Sequence, residues 1–280
     1  MYKLIACDLD GTLLDSNHEI TDDNRQVIEE LKEKEIPFVI ATGRIYPSAA
    51  EFSKDLNLKT PIIACNGAVI KDPVKDEILY HYPVPTESML EIINICKEYD
   101  IYFHIYTIDT VYAERNERLI LKYNEWKEKD PKRSLVKTAV VEDIRPIIES
   151  NIVYKLGIYI DEEGAEEAHE EMVKIPGITS CFSLSTLVDV FNEDASKGIA
   201  VQALIDMYEL DKHQVMALGD NENDISMLKH AGLGIAMKDA REHVKEAADE
   251  VTDSNDNSGV AIAIRKHLPI WLKLNYTCVT

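Results

Sequence analysis

Four continuous apolar runs, each followed at once by small and polar residues, constrain the fold of this chain more than any other feature. They cover residues 4–7, 37–41, 61–65 and 215–218. Apolar runs that do not alternate with polar residues indicate strands buried on both faces, as in a parallel sheet. Helical patterns separate these runs, and strands that alternate with helices predict an α/β fold. We therefore expect a doubly wound, mainly parallel sheet.

Polar side chains follow the four runs. The carboxyl ends of parallel strands meet at one edge of a sheet, and ligands bind at that edge in open α/β folds. Asp8 and Asp10 are two positions apart, so both can serve one site only if the chain bends after Asp8, and Gly11 permits that turn. One carboxylate could act as nucleophile or metal ligand, the other as acid and base; an ordinary acidic loop is the alternative. The residues expected at this edge are Asp8, Asp10, Thr42, Asn66, Asp220, Asn223 and Asp224.

Capping residues and helical spacing place helices on both sides of a differently patterned middle region. Thr21 can cap a helix that extends to about residue 35, and Ser196 can cap a helix with apolar residues at helical spacing. Strands alternate again with helices from residue 196 onward. In the middle region, aromatic and β-branched runs with short turns predict an α+β insert with an antiparallel sheet. The elements predicted in this middle region are helices at 86–99, 117–129 and 162–174, and strands at 101–106, 110–113, 152–160, 180–184 and 187–192, the last of which lies just beyond the insert.

Two prolines, Pro83 and Pro85, can stiffen the crossing into this insert. We therefore expect a core domain formed by residues 1–84 plus 186–280 and an inserted domain formed by residues 85–185.

Five motifs occur in a fixed order along the chain: Asp8-x-Asp10-Gly11-Thr12, Ala41-Thr42-Gly43-Arg44, Asn66-Gly67, Ser196-Lys197-Gly198 and Gly219-Asp220-x-x-Asn223-Asp224. This set resembles the haloacid dehalogenase superfamily, in particular its Cof-type sugar-phosphatase branch. The resemblance covers residues 1 to about 84 and about 186 to 268, whereas the middle is similar mainly in length and element pattern. It implies a Rossmann-like core in which the insert is a cap domain.

The resemblance also implies a chemistry. A phosphatase of this kind hydrolyses small phosphorylated metabolites, such as sugar phosphates, through an aspartyl-phosphate intermediate and with Mg²⁺ as cofactor. Asp8 would be the nucleophile and Asp10 the acid and base, and the metal ligands would be Asp8, the backbone carbonyl of Asp10, and Asp220. The residues implied to bind phosphate are Leu9, Thr42, Gly43, Lys197 and Asn223, with Arg44, Asn66 and Asp224 in the second rank.

Two other functions are compatible with the same motifs. A phosphomutase of the superfamily would return the phosphoryl group to the sugar, and a catalytically idle protein would use the fold for regulatory binding. The second is disfavoured because every motif position holds a competent residue. Hydrolysis of carbon–halogen bonds is disfavoured because that branch lacks the second aspartate, here Asp10.

Composition excludes several classes of partner and site. The formal net charge is −21, which argues against nucleic acid as a partner. No apolar stretch reaches the ~18 residues needed to span a membrane, and the N-terminus carries no signal-peptide pattern, so we expect a cytoplasmic protein with no membrane partner. We also expect a monomer or weak homo-oligomer. The five cysteines include no C-x-x-C pair, so neither a disulfide framework nor a zinc site is expected. The segment 269–280 lies outside the resemblance and has no assigned role.

Overall fold

A computed structural model describes residues 1–129, 135–161 and 164–268. The chain divides into two compact units: the first comprises Met1–Ala41 and the chain from Val201 onward, and the second comprises Thr42–Ala200. This division differs from the predicted boundaries at 84/85 and 185/186, since residues 42–84 and 186–200 group with the insert. The core and cap domains as drawn from the sequence therefore stay a prediction. The segment 269–280, to which no role was assigned, lies outside the described residues.

The first unit contains a parallel sheet in which β1 lies between β12 and β2. Cys7 on β1 is aligned with Leu218 on β12 and with Ile40 on β2, so these strands end level with one another. The predicted α/β fold with a parallel core is confirmed. In the described residues the order is β14-β13-β12-β1-β2, with bounds β1 (Leu4–Cys7), β2 (Phe38–Ile40), β12 (Val215–Gly219), β13 (Leu233–Ala236) and β14 (Glu250–Val251).

The helices of the first unit bury one apolar face each. Helix α1 (Asp22–Glu33) begins after Thr21, whose Oγ1 accepts a hydrogen bond of 3.4 Å from the Asn24 N–H, as the capping pattern predicts. Val27, Ile28 and Leu31 form its buried stripe. Among the described residues, the other α-helices that lie wholly in this unit are α8 (Ile225–His230), α9 (Glu242–Ala247) and α10 (Gly259–His267).

The second unit contains a larger sheet with the order β10-β11-β9-β6-β7-β8 in the described residues. Its pairings are antiparallel, as predicted, except that β8 pairs parallel with β7 and was not anticipated. The apolar face of the sheet packs in one core with α3, α5 and α6. The bounds are β6 (Phe103–Tyr106), β7 (Thr110–Ala113), β8 (Lys137–Val140), β9 (Lys155–Tyr159), β10 (Ile178–Leu184), β11 (Leu187–Asn192), α3 (Thr86–Glu98), α4 (Arg118–Lys129), α5 (Arg145–Ser150) and α6 (Ala165–Met172).

The run at 61–65 is not the fourth parallel strand that we predicted. It forms β3 (Ile62–Ala64), which pairs antiparallel with β4 (Val69–Asp72), and β4 pairs with β5 (Glu77–His81). The chain reverses because Cys65, Asn66 and Gly67 all have positive φ, at 50°, 59° and 94°. Both β3 and the start of β4 are apolar and buried, so a continuous apolar run did not distinguish this strand from a parallel one. Helix α2 (Tyr46–Asp55) packs against β3.

None of the helices in the described part of the chain combines the length and the apolar character required to cross a membrane.

Candidate active site

Asp8 follows β1 directly, and the chain bends after it as predicted. The Asp8 N–H continues the pairing with β12 through a hydrogen bond of 3.0 Å to the Leu218 carbonyl. The loop then folds back, since the Leu13 N–H donates to the Asp8 carbonyl and the Leu14 N–H to the Leu9 carbonyl. Gly11 lies at the turn with a φ of +79°, which is accessible to glycine with little strain. Asp8 is thereby held, 5% exposed, at the carboxyl end of the sheet.

Three carboxylates of the first unit converge at this edge. Among the described residues, Asp8, Asp220 and Asp224 each offer an oxygen, and these oxygens lie within 4.8 Å of one another. Three aspartates so close repel one another unless a cation is shared between them. Carboxylate oxygens are the ligands that hard divalent cations such as Mg²⁺ prefer. The donor set therefore fits a divalent metal site.

Backbone and hydroxyl donors fix the orientation of two of these carboxylates. Asp224 Oδ2 accepts hydrogen bonds from the N–H groups of Asp220 and Asn221, at 2.9 and 3.0 Å. Thr12, which is fully buried, donates from its hydroxyl to Asp220 Oδ1 at 2.8 Å. The sequence had given Thr12 no role, although its fixed place after Gly11 was a usable signal.

Glycines make this close approach possible. A Cβ on Gly11 would lie 2.4 Å from Asp220 Oδ2, and a Cβ on Gly219 would lie 2.4 Å from the Asp224 Cβ. Because real Cβ contacts of that length do not occur, any side chain at either position would displace one of the clustered carboxylates.

Asp10 and Asn223 lie in the same unit, in different surroundings. The Asp10 side chain is 47% exposed, and its Oδ1 lies 3.9 Å from His18 Nδ1. Its carboxylate is therefore in contact with solvent and is not one of the three clustered aspartates. Asn223 lies in a 3₁₀ turn, Glu222–Asp224, that opens α8. Leu9 is buried in the core, so its backbone is the part suited to bind a ligand.

The remaining predicted residues belong to the second unit. Thr42 and Lys197 are each 1% exposed, and Lys197 is the first residue of α7 (Lys197–Met207). The Ser196 Oγ accepts from the Ile199 N–H at 3.1 Å, which is the predicted cap. Arg44 packs its guanidinium over the Phe52 ring at 5.0 Å and donates to Ser48 Oγ at 3.3 Å.

Thr42, Gly43, Asn66 and Arg44 are held together by backbone hydrogen bonds. The Asn66 N–H donates to the Thr42 carbonyl at 3.1 Å, and the Cys65 N–H donates to the Arg44 carbonyl at 2.9 Å. The Asn66-Gly67 motif is thus a turn that contacts the Thr42-Gly43 segment.

Two functional candidates were missed in the sequence. Lys155 and Asp189 form an ion pair with 2.8 Å between Nζ and Oδ2, and their side chains are 5% and 2% exposed. The signal was a charged residue inside each of two strands that otherwise have buried, apolar character.

Burial shifts the pKa of two neighbours of this pair. Desolvation raises the pKa of the Cys65 thiol to about 12, which keeps it protonated at physiological pH. Desolvation, with a smaller contribution from the positive charge of Lys155, lowers the pKa of His104 to about 3. Both groups are therefore neutral near pH 7.

The chain is similar to known phosphatases over nearly its whole length. Phosphatase YwpJ of Bacillus subtilis is 31% identical over 288 residues, which cover 95% of this chain and 99% of the relative. YcsE of the same organism, named a 5-amino-6-(5-phospho-D-ribitylamino)uracil phosphatase, is 31% identical over 268 residues, or 94% of each chain. A solved haloacid dehalogenase-like hydrolase from Bacteroides thetaiotaomicron is 27% identical, with a TM-score of 0.83 over 95% of this chain and 100% of that one.

The profile of one family spans most of the chain, from residue 5 to residue 264. That match, together with the relatives' names, confirms the expected enzyme class, a hydrolase of phosphate monoesters. The resemblance first noted on five short motifs thus extends through the middle region as well. The chain belongs to the haloacid dehalogenase-like hydrolases.

Proposed function

We propose that this protein is a Mg²⁺-dependent phosphatase that hydrolyses small phosphorylated metabolites, sugar phosphates or similar compounds, through an aspartyl-phosphate on Asp8. The observation that carries the proposal is the convergence of Asp8, Asp220 and Asp224 at the end of β1, with their oxygens within 4.8 Å of one another. Phosphoryl transfer to a carboxylate is favoured by a cation beside the nucleophile, because the carboxylate and the phosphate are both anionic.

The two aspartates of the first motif divide the chemistry between them. Asp8 attacks phosphorus and forms an acyl phosphate while the bond from phosphorus to the ester oxygen breaks. Asp10 gives its proton to that departing oxygen and then takes a proton from the water that attacks phosphorus in the second step. The products are inorganic phosphate and the alcohol, and Asp8 is regenerated. The half-exposed side chain of Asp10 suits this role because it must reach both substrate and water.

Asp8, Asp220 and the Asp10 carbonyl would hold the Mg²⁺ ion. When bound, the ion supplies positive charge that lets an anionic carboxylate approach an anionic phosphate. Asp224 assists without requiring direct coordination, since its Oδ2 accepts two N–H groups and thereby fixes the backbone of Asp220. The identity of the ion rests on the all-oxygen donor set.

Thr42, Gly43 and Lys197 would bind the phosphate, with the Leu9 backbone and Asn223. The Ala41 N–H donates to the Cys7 carbonyl, so the chain leaves the parallel sheet immediately before Thr42 and next to the residue that precedes Asp8. Phosphate oxygens accept hydrogen bonds from hydroxyl, N–H and ammonium groups. The buried position of Lys197 favours a pairing with an anion over a solvated lysine.

A small phosphorylated metabolite is the partner that the relatives favour, since YcsE is named for a phosphorylated ribitylaminouracil. The phosphomutase remains the alternative within the superfamily, and the two reactions differ in product. The cytoplasmic location and the monomeric or weakly oligomeric state stay predictions from sequence.

The test is hydrolysis of para-nitrophenyl phosphate, followed by a panel of sugar phosphates and phosphorylated cofactors, with and without Mg²⁺. Stoichiometric release of inorganic phosphate supports the phosphatase. An isomeric sugar phosphate formed without phosphate release would establish the mutase. Absence of both, in protein shown to be folded, would favour the idle binding protein.

A further inference from the structure

Three consecutive backbone carbonyls, those of Thr42, Gly43 and Arg44, each accept a hydrogen bond. The donors are the Asn66 N–H at 3.1 Å, Lys155 Nζ at 2.9 Å and the Cys65 N–H at 2.9 Å. The outer two come from the neighbouring turn, whereas the middle one is a side chain from β9. The peptide planes of this segment are therefore set by contacts on their carbonyl side.

Fixing the carbonyls fixes the donors on the opposite side of each plane. In a trans peptide the C=O and the next N–H point in opposite directions, so the Asn66 bond to the Thr42 carbonyl directs the Gly43 N–H away from Asn66. Lys155 fixes the next plane in the same way, and the Arg44 N–H of that plane donates to Thr42 Oγ1 at 3.2 Å. A threonine hydroxyl that accepts such a bond still has its own proton to donate.

Asp189 contacts both Lys155 and the turn that contains Asn66. Its Oδ2 accepts from Lys155 Nζ at 2.8 Å and from Asn66 Nδ2 at 3.2 Å. Asn66 lies in the turn where Cys65 and Asn66 have positive φ, a conformation that costs free energy for residues with side chains. The bond to Asp189 therefore helps to hold a strained turn in place.

The same turn contacts the start of α7. A Cβ on Gly67 would lie 2.2 Å from the Ser196 carbonyl oxygen and 2.7 Å from the Lys197 nitrogen, so the Gly67 backbone is packed directly against this segment. The ion pair, the turn, the Thr42-Gly43 segment and the residue before Lys197 thus form one continuous set of contacts.

The buried Lys155–Asp189 ion pair is a poor arrangement if its only role is to stabilise the fold. Two charges have been removed from water, and burying an ion pair often gains nothing over an apolar pair of similar size. In the described part of the chain, Asp189 Oδ1 is buried and has no hydrogen-bond partner, which adds a further cost. Lys155 also lies over the Tyr106 ring, at 4.4 Å, so its direction is restricted.

We infer that Lys155 and Asp189 are positioning residues, which orient the Thr42 hydroxyl and the Gly43 N–H toward the phosphate group of the substrate. This inference rests on the proposed function, because it takes the Thr42-Gly43 segment as part of the phosphate site. Lys155 acts through the Gly43 carbonyl, and Asp189 acts through Lys155 and Asn66. Neither is a catalytic residue.

The decisive variant is Lys155→Met/Asp189→Leu. It removes both charges together, so net charge is unchanged and no buried ion is left without its partner. We expect the melting temperature to be unchanged or raised. We expect the dissociation constant for inorganic phosphate, measured by titration calorimetry with Mg²⁺ present, to rise about 10- to 100-fold, the same range as for loss of a residue that orients a metal ligand. The KM for para-nitrophenyl phosphate should rise with it.

Asp189→Asn should have the opposite effects on melting temperature and on phosphate affinity. The amide oxygen can accept from Lys155 and Asn66, so the hydrogen bonds are kept, while the Lys155 charge loses its counterion. The melting temperature should therefore fall, and phosphate affinity should stay within about threefold of wild type because the donors keep their directions. Lys97→Met is the matched control. It removes an ion pair in the same unit, in which Lys97 Nζ lies 2.7 Å from Glu114 Oε1, and it should leave phosphate affinity unchanged.

Wild-type phosphate affinity in the folded double variant would overturn the inference. If the double variant does not fold, Lys155→Met/Asp189→Asn replaces it, since this variant removes the contact to the Gly43 carbonyl, keeps an acceptor for Asn66 and leaves no buried charge. A phosphate affinity at least tenfold weaker than that of Asp189→Asn supports the inference, and an affinity equal to that of Asp189→Asn overturns it. Failure of the proposed function looks different: the wild-type protein itself would then neither bind phosphate nor hydrolyse the aryl ester, and the inference would fall with it.

Discussion

Thr12 donates a hydrogen bond of 2.8 Å to Asp220 across a sequence separation of 208 residues. This bond joins the first motif of the chain to the last, because it holds one carboxylate of the Asp8–Asp220–Asp224 cluster with a hydroxyl from the Asp8 loop. The orientation of Asp220 thus depends on a residue that is not itself among the proposed metal or phosphate ligands.

Replacing this hydroxyl by a methyl group should weaken the metal site. In Thr12→Val, Asp220 loses a buried donor, and we expect about 10- to 100-fold weaker Mg²⁺ activation, with kcat at saturating Mg²⁺ less affected. Loss of the bond should also cost about 1 kcal/mol of unfolding free energy. Titration of activity against Mg²⁺ concentration measures the first effect. Thr12→Ser keeps the hydroxyl and is the control; an unchanged Mg²⁺ requirement in Thr12→Val would contradict the role.

Asp8→Asn should abolish turnover without unfolding the protein. The substitution removes the nucleophilic charge but keeps the shape, and it lowers the repulsion within the aspartate cluster, so the melting temperature should not fall. Asp10→Asn should lower the rate by roughly 10² to 10⁴ through lost acid and base catalysis. Steady-state kinetics and thermal unfolding check both. Wild-type-like activity in Asp8→Asn would refute the aspartyl-phosphate.

Chelation of Mg²⁺ should silence the enzyme, and Ca²⁺ should restore little activity. Mg²⁺ enforces a tight octahedron, whereas Ca²⁺ accepts longer bonds and more ligands, and a misplaced Asp8 is costly for in-line attack. Mg²⁺ should also raise the melting temperature, because it binds the folded state. Full activity in excess EDTA would be incompatible with the metal assignment.

Cys65 should resist alkylation in the native protein. Its thiol is buried, and its pKa, about 12, leaves almost no thiolate at pH 8. Because the pKa of Cys65 is raised, its thiolate forms only as the pH rises toward 12. Iodoacetamide at pH 8, followed by peptide mass spectrometry, should label the partly exposed Cys181 and leave Cys65 unmodified until denaturant is added. Equal labelling of both in the folded protein would contradict this.

The sequence was sufficient for the elements that rest on local patterns. Strands β1, β2 and β12 were predicted because their runs are short, apolar and followed by turn residues, and the Thr21 and Ser196 caps were predicted from hydroxyl chemistry. The bend after Asp8 followed from the need to bring Asp8 and Asp10 to one site, and Gly11 has the positive φ that this bend requires.

Pairing partners were harder to predict, since burial alone does not reveal strand direction. The run at 61–65 is as apolar as a parallel strand, but its direction of pairing depends on the reversal at Cys65 and Asn66, two non-glycine residues with positive φ. Lys155 and Asp189 were missed because nothing local shows that charges on separate strands, 34 positions apart, will meet. The role of Thr12 depends likewise on a contact distant in sequence.

The Lys155–Asp189 pair also limits how this enzyme can exchange parts with its relatives. A chimera joined at residues 85 and 185 would carry Lys155 with the transferred segment and leave Asp189 in the recipient. It would also separate β10 from β11, which are neighbours in one sheet. A transfer of residues 42–200 would move the ammonium, the carboxylate and the Gly43 carbonyl together. Recombination between relatives of this fold should therefore succeed when residues 42–200 are transferred together, so that the proposed phosphate-binding segment moves with the ion pair.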